Sequence, residues 1–194
     1  AAATTLDPVI SLVAPQFQVS PFGATALDVD GAFDPVNEVF LIVWAQDDSL
    51  ASPGAFEIFG RTLSADYTTL SAPLRISTMG TDDTDASFDA RRPAVAAQTD
   101  EDGGFVVVWE GDDDGSGLAD GEFEIFARRV NAAGTLEGTG RDAVSAFGAV
   151  GGQATAPVIA YDDLAREYLV VYEGRTALDP LGPHVHSTRL GVDG

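Results

Sequence analysis

The stretch from Phe105 to Val130, "FVVVWEGDDDGSGLADGEFEIFARRV", decides the fold. It holds two short apolar runs, Phe105–Trp109 (FVVVW) and Phe123–Val130 (FEIFARRV), on either side of a loop crowded with carboxylates. Both runs are rich in Val, Ile and Phe and are bounded by Gly and Asp, which reads as strands. FVVVW is apolar at every position, as a strand covered on both faces would be. In the second run Ile125, Ala127 and Arg129 share one face, and Glu124, Phe126, Arg128 and Val130 the other.

The pattern occurs three times. Phe40–Trp44 (FLIVW), Phe105–Trp109 and Tyr168–Tyr172 (YLVVY) end in aromatics 65 and 63 residues apart. Each is followed by a polar loop and a second run: FEIFGRTL at 56–63, FEIFARRV at 123–130 and HVHSTRL at 184–190. Each is preceded by a short segment: ALDV at 26–29, PAVAA at 93–97 and APVIAY at 156–161. A fourth piece recurs as FQVS at 17–20, LRIS at 74–77 and DAVS at 142–145. No window carries a sustained helical period with caps.

Four short strands per unit of about 65 residues predict an all-β protein built of three four-stranded, propeller-like blades. The expected division is an N-terminal extension at 1–15 and repeats at 16–70, 71–137 and 138–194. The chain starts inside the repeat, so FQVS is a spare strand and the third unit has a vacancy for one. FQVS is therefore expected to complete a last blade. Three blades are few for a ring, which favours pairing between molecules, as a homo-oligomer or filament. Phe17 and Val19 would enter the ladder, and Leu6, Val9, Ile10, Leu12 and Val13 would lie against a second subunit. A β-sandwich of about a dozen strands is the competing fold.

Composition narrows the function classes. Lys and Arg total 10 against 31 Asp and Glu, a formal charge of −21, which repels nucleic-acid phosphates and anionic lipid. It suits cations, basic partners, or plain solubility. Cysteine is absent, which removes disulfides, thiol nucleophiles and thiolate metal sites. No apolar run approaches the roughly 20 residues needed to span a bilayer as a helix.

The carboxylate-rich loop has calcium-like spacing. Asp112, Asp114, Ser116 and Asp120 place oxygens at alternate positions, with Gly117 at the sixth place and Glu122 and Glu124 flanking the twelfth. Phe123 stands where a bidentate Glu is usual, and the loop joins strands, so it is no EF-hand. The alternative is a solvated hairpin loop. Asp47 and Asp48, with Glu57, form a thinner version in the first repeat, and Glu173 and Asp179 in the third. Asp83, Asp85, Ser87 and Asp89 alternate in the connector between the first two units. Asp28, Asp30 and Asp34 read equally well as turn chemistry.

His184 and His186 share a strand face and could hold zinc only with a third ligand, for which Asp179 is the available residue; surface or edge histidines are the simpler reading. Trp44, Trp109 and Tyr172 occupy one repeat position and read as packing residues rather than a sugar-stacking platform. There is no GxSxG elbow and no phosphate loop, and paired carboxylates for glycoside hydrolysis are too abundant to single out.

The segments EYLVVYEG, GFVVVWEGDDDGSGLADGEFEIFARRVNAAGTLEG and FEIFGRTLSADYTTLSAPLRISTMG resemble tandem propeller-like repeats of large secreted or cell-surface bacterial proteins, often found beside calcium-binding adhesin-type modules. The resemblance spans about residues 16–190 and is strongest in the second repeat. It implies an extracellular, non-catalytic role and carries over no catalytic residue. The resulting expectation is a secreted or cell-surface structural or adhesive repeat protein, calcium-stabilised and self-assembling by strand exchange. The alternatives are a carbohydrate- or other ligand-binding, lectin-like propeller and a hydrolase on a propeller scaffold.

Overall fold

The computed structural model describes residues 16–21, 23–47, 54–79, 88–112, 121–138, 140–147, 151–176, 178–179 and 182–192. Every regular element among them is a strand, and none is a helix that could cross a membrane. Three antiparallel sheets follow one another along the chain. The first holds β1 (Thr25–Asp34), β2 (Val39–Asp47), β3 (Phe56–Ser64) and β4 (Leu74–Arg75), in that spatial order. The second holds β5 (Ala90–Ala97), β6 (Phe105–Asp112), β7 (Phe123–Val130) and β8 (Asp142–Ala143). The third holds β9 (Gln153–Asp162), β10 (Glu167–Arg175) and β11 (His184–Gly191).

Sequence chemistry sets each hairpin. Asp34 Oδ1 accepts the Val36 and Asn37 amides at 2.8 and 3.1 Å, turning β1 back into β2. Asp162 Oδ1 does the same for Leu164 and Ala165 between β9 and β10. Glu38 and Arg166 close these turns with left-handed φ values of 54° and 56°. In the second sheet Gly103 and Gly104 take that conformation, which glycine adopts without steric cost. The register then repeats: Trp44 pairs with Phe59, Trp109 with Phe126 and Tyr172 with His186.

The sheets pack face to face in chain order, and their first strands β1, β5 and β9 are neighbours. Leu41, Val43, Ile58 and Ile76 of the first sheet meet Val95, Val107, Trp109 and Phe126 of the second. On its other face the second sheet packs Val106, Val108 and Ile125 against Tyr168, Val170 and Tyr172 of the third. Sheet two is therefore covered on both sides, and β6 is buried at every position, as its unbroken apolar run required.

Two buried carboxylates fasten the outer strands. Glu57 accepts the Ser77 hydroxyl, the Met79 amide at 2.7 Å and the Arg75 guanidinium at 2.8 Å. At the equivalent position Glu124 accepts the Ser145 hydroxyl and the Phe147 amide. Ser77 and Ser145 in turn accept the amides of Ile58 and Ile125 at 2.7 and 2.8 Å. These contacts explain how strands of only two residues, β4 and β8, hold their places.

The all-β architecture of antiparallel sheets agrees with expectation. Within the single chain the N-terminal segment completes no sheet. Phe17–Ser20 enters no ladder and does not pair with β11. It lies beside the first sheet, where the Arg61 guanidinium donates to the Val19 carbonyl at 2.8 Å. The expected anchors Leu6, Val9, Ile10, Leu12 and Val13 fall outside the described residues.

Candidate functional site

The first strand of every sheet carries a bulge at the same repeat position. Register slips between Leu27 and Asp30 in β1, between Arg91 and Ala94 in β5, and between Thr155 and Val158 in β9. One non-glycine residue in each takes a left-handed backbone: Asp28 at φ 49°, Arg92 at 47° and Ala156 at 54°. Left-handed residues other than glycine, asparagine and aspartate are uncommon, and bulges re-aim side chains beside functional sites. Pro93 and Pro157, both buried, follow two of the three.

Side chains join the three bulges into one row. Asp28 Oδ2 accepts the Arg92 amide at 3.3 Å, and Asp30 Oδ2 accepts the Val95 amide at 2.9 Å. Glu110 Oε2 accepts the Ala156 amide at 2.8 Å and the Arg92 guanidinium at 3.3 Å. The Arg92 side chain is 57% exposed, whereas that of Glu110 is 6% exposed. An open guanidinium thus sits above a buried carboxylate, and the backbone amide of the same residue bonds the exposed Asp28. The row offers charged donors and acceptors side by side, with backbone displaced from the ladder.

Nearby, Asp89 enters β5 by accepting the Phe56 amide at 2.9 Å and the Arg91 guanidinium at 2.6 Å. Burial, only partly offset by these bonds, pushes its carboxyl above the usual range. A cleft of about 280 Å³ borders Asp28 on the side of the first sheet that faces away from the second, lined by Val19, Ser20, Leu27, Ile42 and Trp44 among others.

The predicted metal residues separate. Asp48, Asp83, Asp85, Asp114, Ser116 and Asp120 lie outside the described residues. Asp47 and Asp112 close their loops in equivalent ways, accepting the amides of Gly54 at 2.9 Å and Gly121 at 2.8 Å. Both glycines have positive φ, at 105° and 82°. Glu122 accepts the Gly151 amide, and Glu124 is turned inward to Ser145 and Phe147. Among the described residues no three His, Cys, Asp or Glu converge as a metal site. His184 pairs with Asp179 at 2.6 Å, while the His186 ring lies edge-on to Phe147 at 4.9 Å and stacks on Tyr172 at 6.0 Å. Trp44, Trp109 and Tyr172 are packing residues, each buried.

Sequence reasoning missed Arg92 and Glu110 and treated Asp28 and Asp30 as turn acids. The available signal was positional: LDV, RRP and TAP stand at one place in the three repeats.

No family model matches the chain, and no curated protein matches it in sequence. Among solved structures it is similar to the intramolecular trans-sialidase from Ruminococcus gnavus, at a TM-score of 0.51 and 11% identity, over 89% of this chain and 34% of that one. It is also similar to an N-acetylgalactosamine deacetylase from F. plautii, at 0.51 and 15% identity, over 86% and 49%. An alpha-L-arabinofuranosidase from Lactobacillus brevis matches at 0.49 and 18% identity, over 85% and 52%. The chain thus spans about a third to a half of the length of these proteins.

Likeness at such identities speaks to fold. It corrects the expectation of a non-catalytic structural or adhesive protein, because the solved structures that share this arrangement are named as enzymes acting on carbohydrates. The expectation of a non-catalytic role rested on the resemblance to repeats of secreted or cell-surface proteins.

Proposed function

We propose that the three sheets are consecutive blades of a carbohydrate-active propeller and that the row of bulges forms part of its glycan site. The observation that carries this reading is the bulge at one position of all three first strands, linked through Asp28, Arg92 and Glu110. Sugar hydroxyls both donate and accept, so adjoining carboxylate and guanidinium groups complement them. Arg92 is the group that would also take a carboxylated sugar. Support from the fold comes from the sialidase and deacetylase likenesses.

In this reading Arg92 binds the glycan, Glu110 fixes the guanidinium, and Asp28 and Glu110 are the carboxylates nearest the substrate. Glycoside hydrolysis uses two such groups, one as acid and one as nucleophile or base. The test is a screen of glycan binding and of reducing-sugar release, run on the wild type and on Arg92→Ala, Asp28→Asn and Glu110→Gln. Binding is expected to fall with Arg92→Ala, and release with either carboxylate variant. If all three bind and act as the wild type does, the site lies elsewhere.

An extracellular setting belongs to the same proposal, since it gives the chain access to glycans. Calcium in the 112–124 loop is a separate proposal. Calorimetric titration of calcium into chelator-treated protein tests it, with binding heat expected to weaken in Asp114→Ala.

A further inference from the structure

We infer that the gap between the second and third sheets holds a buried water molecule, gripped by Gln98, Arg129 and Tyr168. Alternation brings the three side chains into one layer. Ala94 and Ala96 of β5 pack toward the third sheet, and Gln98, two residues on, continues that face. Ile125 and Ala127 of β7 do the same, and Arg129 follows them. Tyr168 meets them from β10, in line with Val170 and Tyr172. All three stand at the hairpin end of this layer. The Gln98 amide donates to the Gly104 carbonyl at 2.8 Å, and Arg129 Nη2 donates to the Gly103 carbonyl at 3.1 Å. The Tyr168 ring lies 4.7 Å from that of Tyr161, whose hydroxyl bonds the same Asp100 that holds the Gln98 side chain.

Each of the three carries a buried polar atom with no protein partner among the described residues: Gln98 Oε1, Arg129 Nη1 and the Tyr168 hydroxyl. Gln98 and Tyr168 are wholly buried, at 0% exposure. Buried polar groups almost always find a partner, in the protein or in ordered water. The Gln98 amide cannot turn over to find one, because its Nε2 donates to Asp100 Oδ1 at 2.5 Å and a turned amide would set oxygen against oxygen. Burial pushes the Tyr168 phenol up, so it keeps its proton and can donate it. Arg129 commits Nε to Glu137 at 2.7 Å and Nη2 to Gly103, which leaves Nη1. Two donors and one acceptor therefore remain. A single water meets them: its oxygen accepts from Tyr168 and Arg129, and one of its hydrogens goes to Gln98 Oε1. All three atoms are closed to solvent, which suits a water rather than a sugar or a hydrated ion.

The gap between the first and second sheets shows why the set belongs together. The register gives the same three places there to Asp34, Thr62 and Phe105. Asp34 Oδ2 takes the Gly104 amide directly, at 2.8 Å, and so ties the first sheet to the second without an intermediary. Phe105 has no hydroxyl to satisfy. In the next gap Gln98 is held by Asp100 of its own hairpin, and its free oxygen arrives together with a guanidinium and a phenol. The three differences add an acceptor and two donors to one place. Water takes over there the bridging task that a carboxylate performs between the first two sheets.

A crystal structure of the full 194-residue chain, fine enough to show ordered water, tests this. A water is expected within about 3.2 Å of the Tyr168 hydroxyl, Gln98 Oε1 and Arg129 Nη1. Oxygen-17 relaxation dispersion supplies a second reading in solution, because it counts long-lived waters free of proton exchange. The wild type is expected to hold a long-lived water that the Gln98→Leu, Tyr168→Phe double variant lacks. A dry gap, or direct bonds among the three side chains, overturns the inference. So does a folded double variant that keeps the full count. If the double variant fails to fold, the wild-type crystal structure decides alone.

Discussion

The second and third sheets share a register, yet their outer halves are built differently. In the second sheet Glu124 sits 3% exposed between Ser145 and Phe147, fastening the outer strand, and both faces are covered. In the third, His184 takes that position, faces Asp179 and is exposed, and one face is bare. In the second sheet the buried Glu–Ser pair, rather than strand length, holds the outer edge. A strand of two residues suffices where the carboxylate is present.

Aromatic truncation should show the largest difference. Trp109→Ala in the doubly covered sheet is expected to cost about 4 kcal/mol, and Tyr172→Ala about 2, in urea unfolding. Equal losses would mean that the third sheet is as fully packed as the second. Next, Glu124→Ala strands a hydroxyl and an amide, for an expected loss of about 2–3 kcal/mol. His184→Ala, at the equivalent exposed position, should stay within about 0.5 kcal/mol. A large loss on His184→Ala would show that the histidine fastens its own edge.

A pH comparison sharpens the account of the first sheet. Burial raises the Glu57 carboxyl above its ordinary 4.5, against the opposing pull of Ser77, Met79 and Arg75. The folded state then holds this proton more tightly than the unfolded state. Stability relative to Glu57→Gln should therefore increase as pH falls from above the raised value to 4.5, and stay level below. Urea unfolding of the two proteins across that window reads the difference. A relative loss of stability over that window would mean that the hydrogen bonds outweigh desolvation.

The smallest effect concerns the corner between the second and third sheets. The Tyr161 hydroxyl donates to Asp100 at 2.6 Å, and Arg166 pairs with Asp100 at 2.9 Å and Asp102 at 2.6 Å. Desolvation, with the Asp100 bond and charge, pushes the Tyr161 phenol up to about 12. Asp100→Asn should lower it in a spectrophotometric titration with little change in stability, and no change would leave desolvation as the whole cause.

The strand cores were legible because alternation and unbroken apolar runs have one meaning in a sheet covered on one or both faces. FLIVW, FVVVW and YLVVY all fall within β2, β6 and β10. The carboxylates were not legible in the same way. A Glu two residues after a loop reads as a cation ligand until it is known which side of the strand is buried, and Glu124 turned inward. The bulges were hidden because an extra residue leaves no mark in a pattern of polar and apolar residues. Only the match between LDV, RRP and TAP held that information, and it needs the register to be seen.

That extra residue has a consequence for how such a molecule can change. Asp28, Arg92 and Ala156 stand at one structural position and bear a negative, a positive and no charge. Pairing resumes on both sides of each, so the ladder places little demand on the side chain carried there. The three sheets behave as a fixed frame with one interchangeable letter apiece. Substitution at these letters changes the charge along the row of bulges, one sheet at a time, without disturbing the cores behind them.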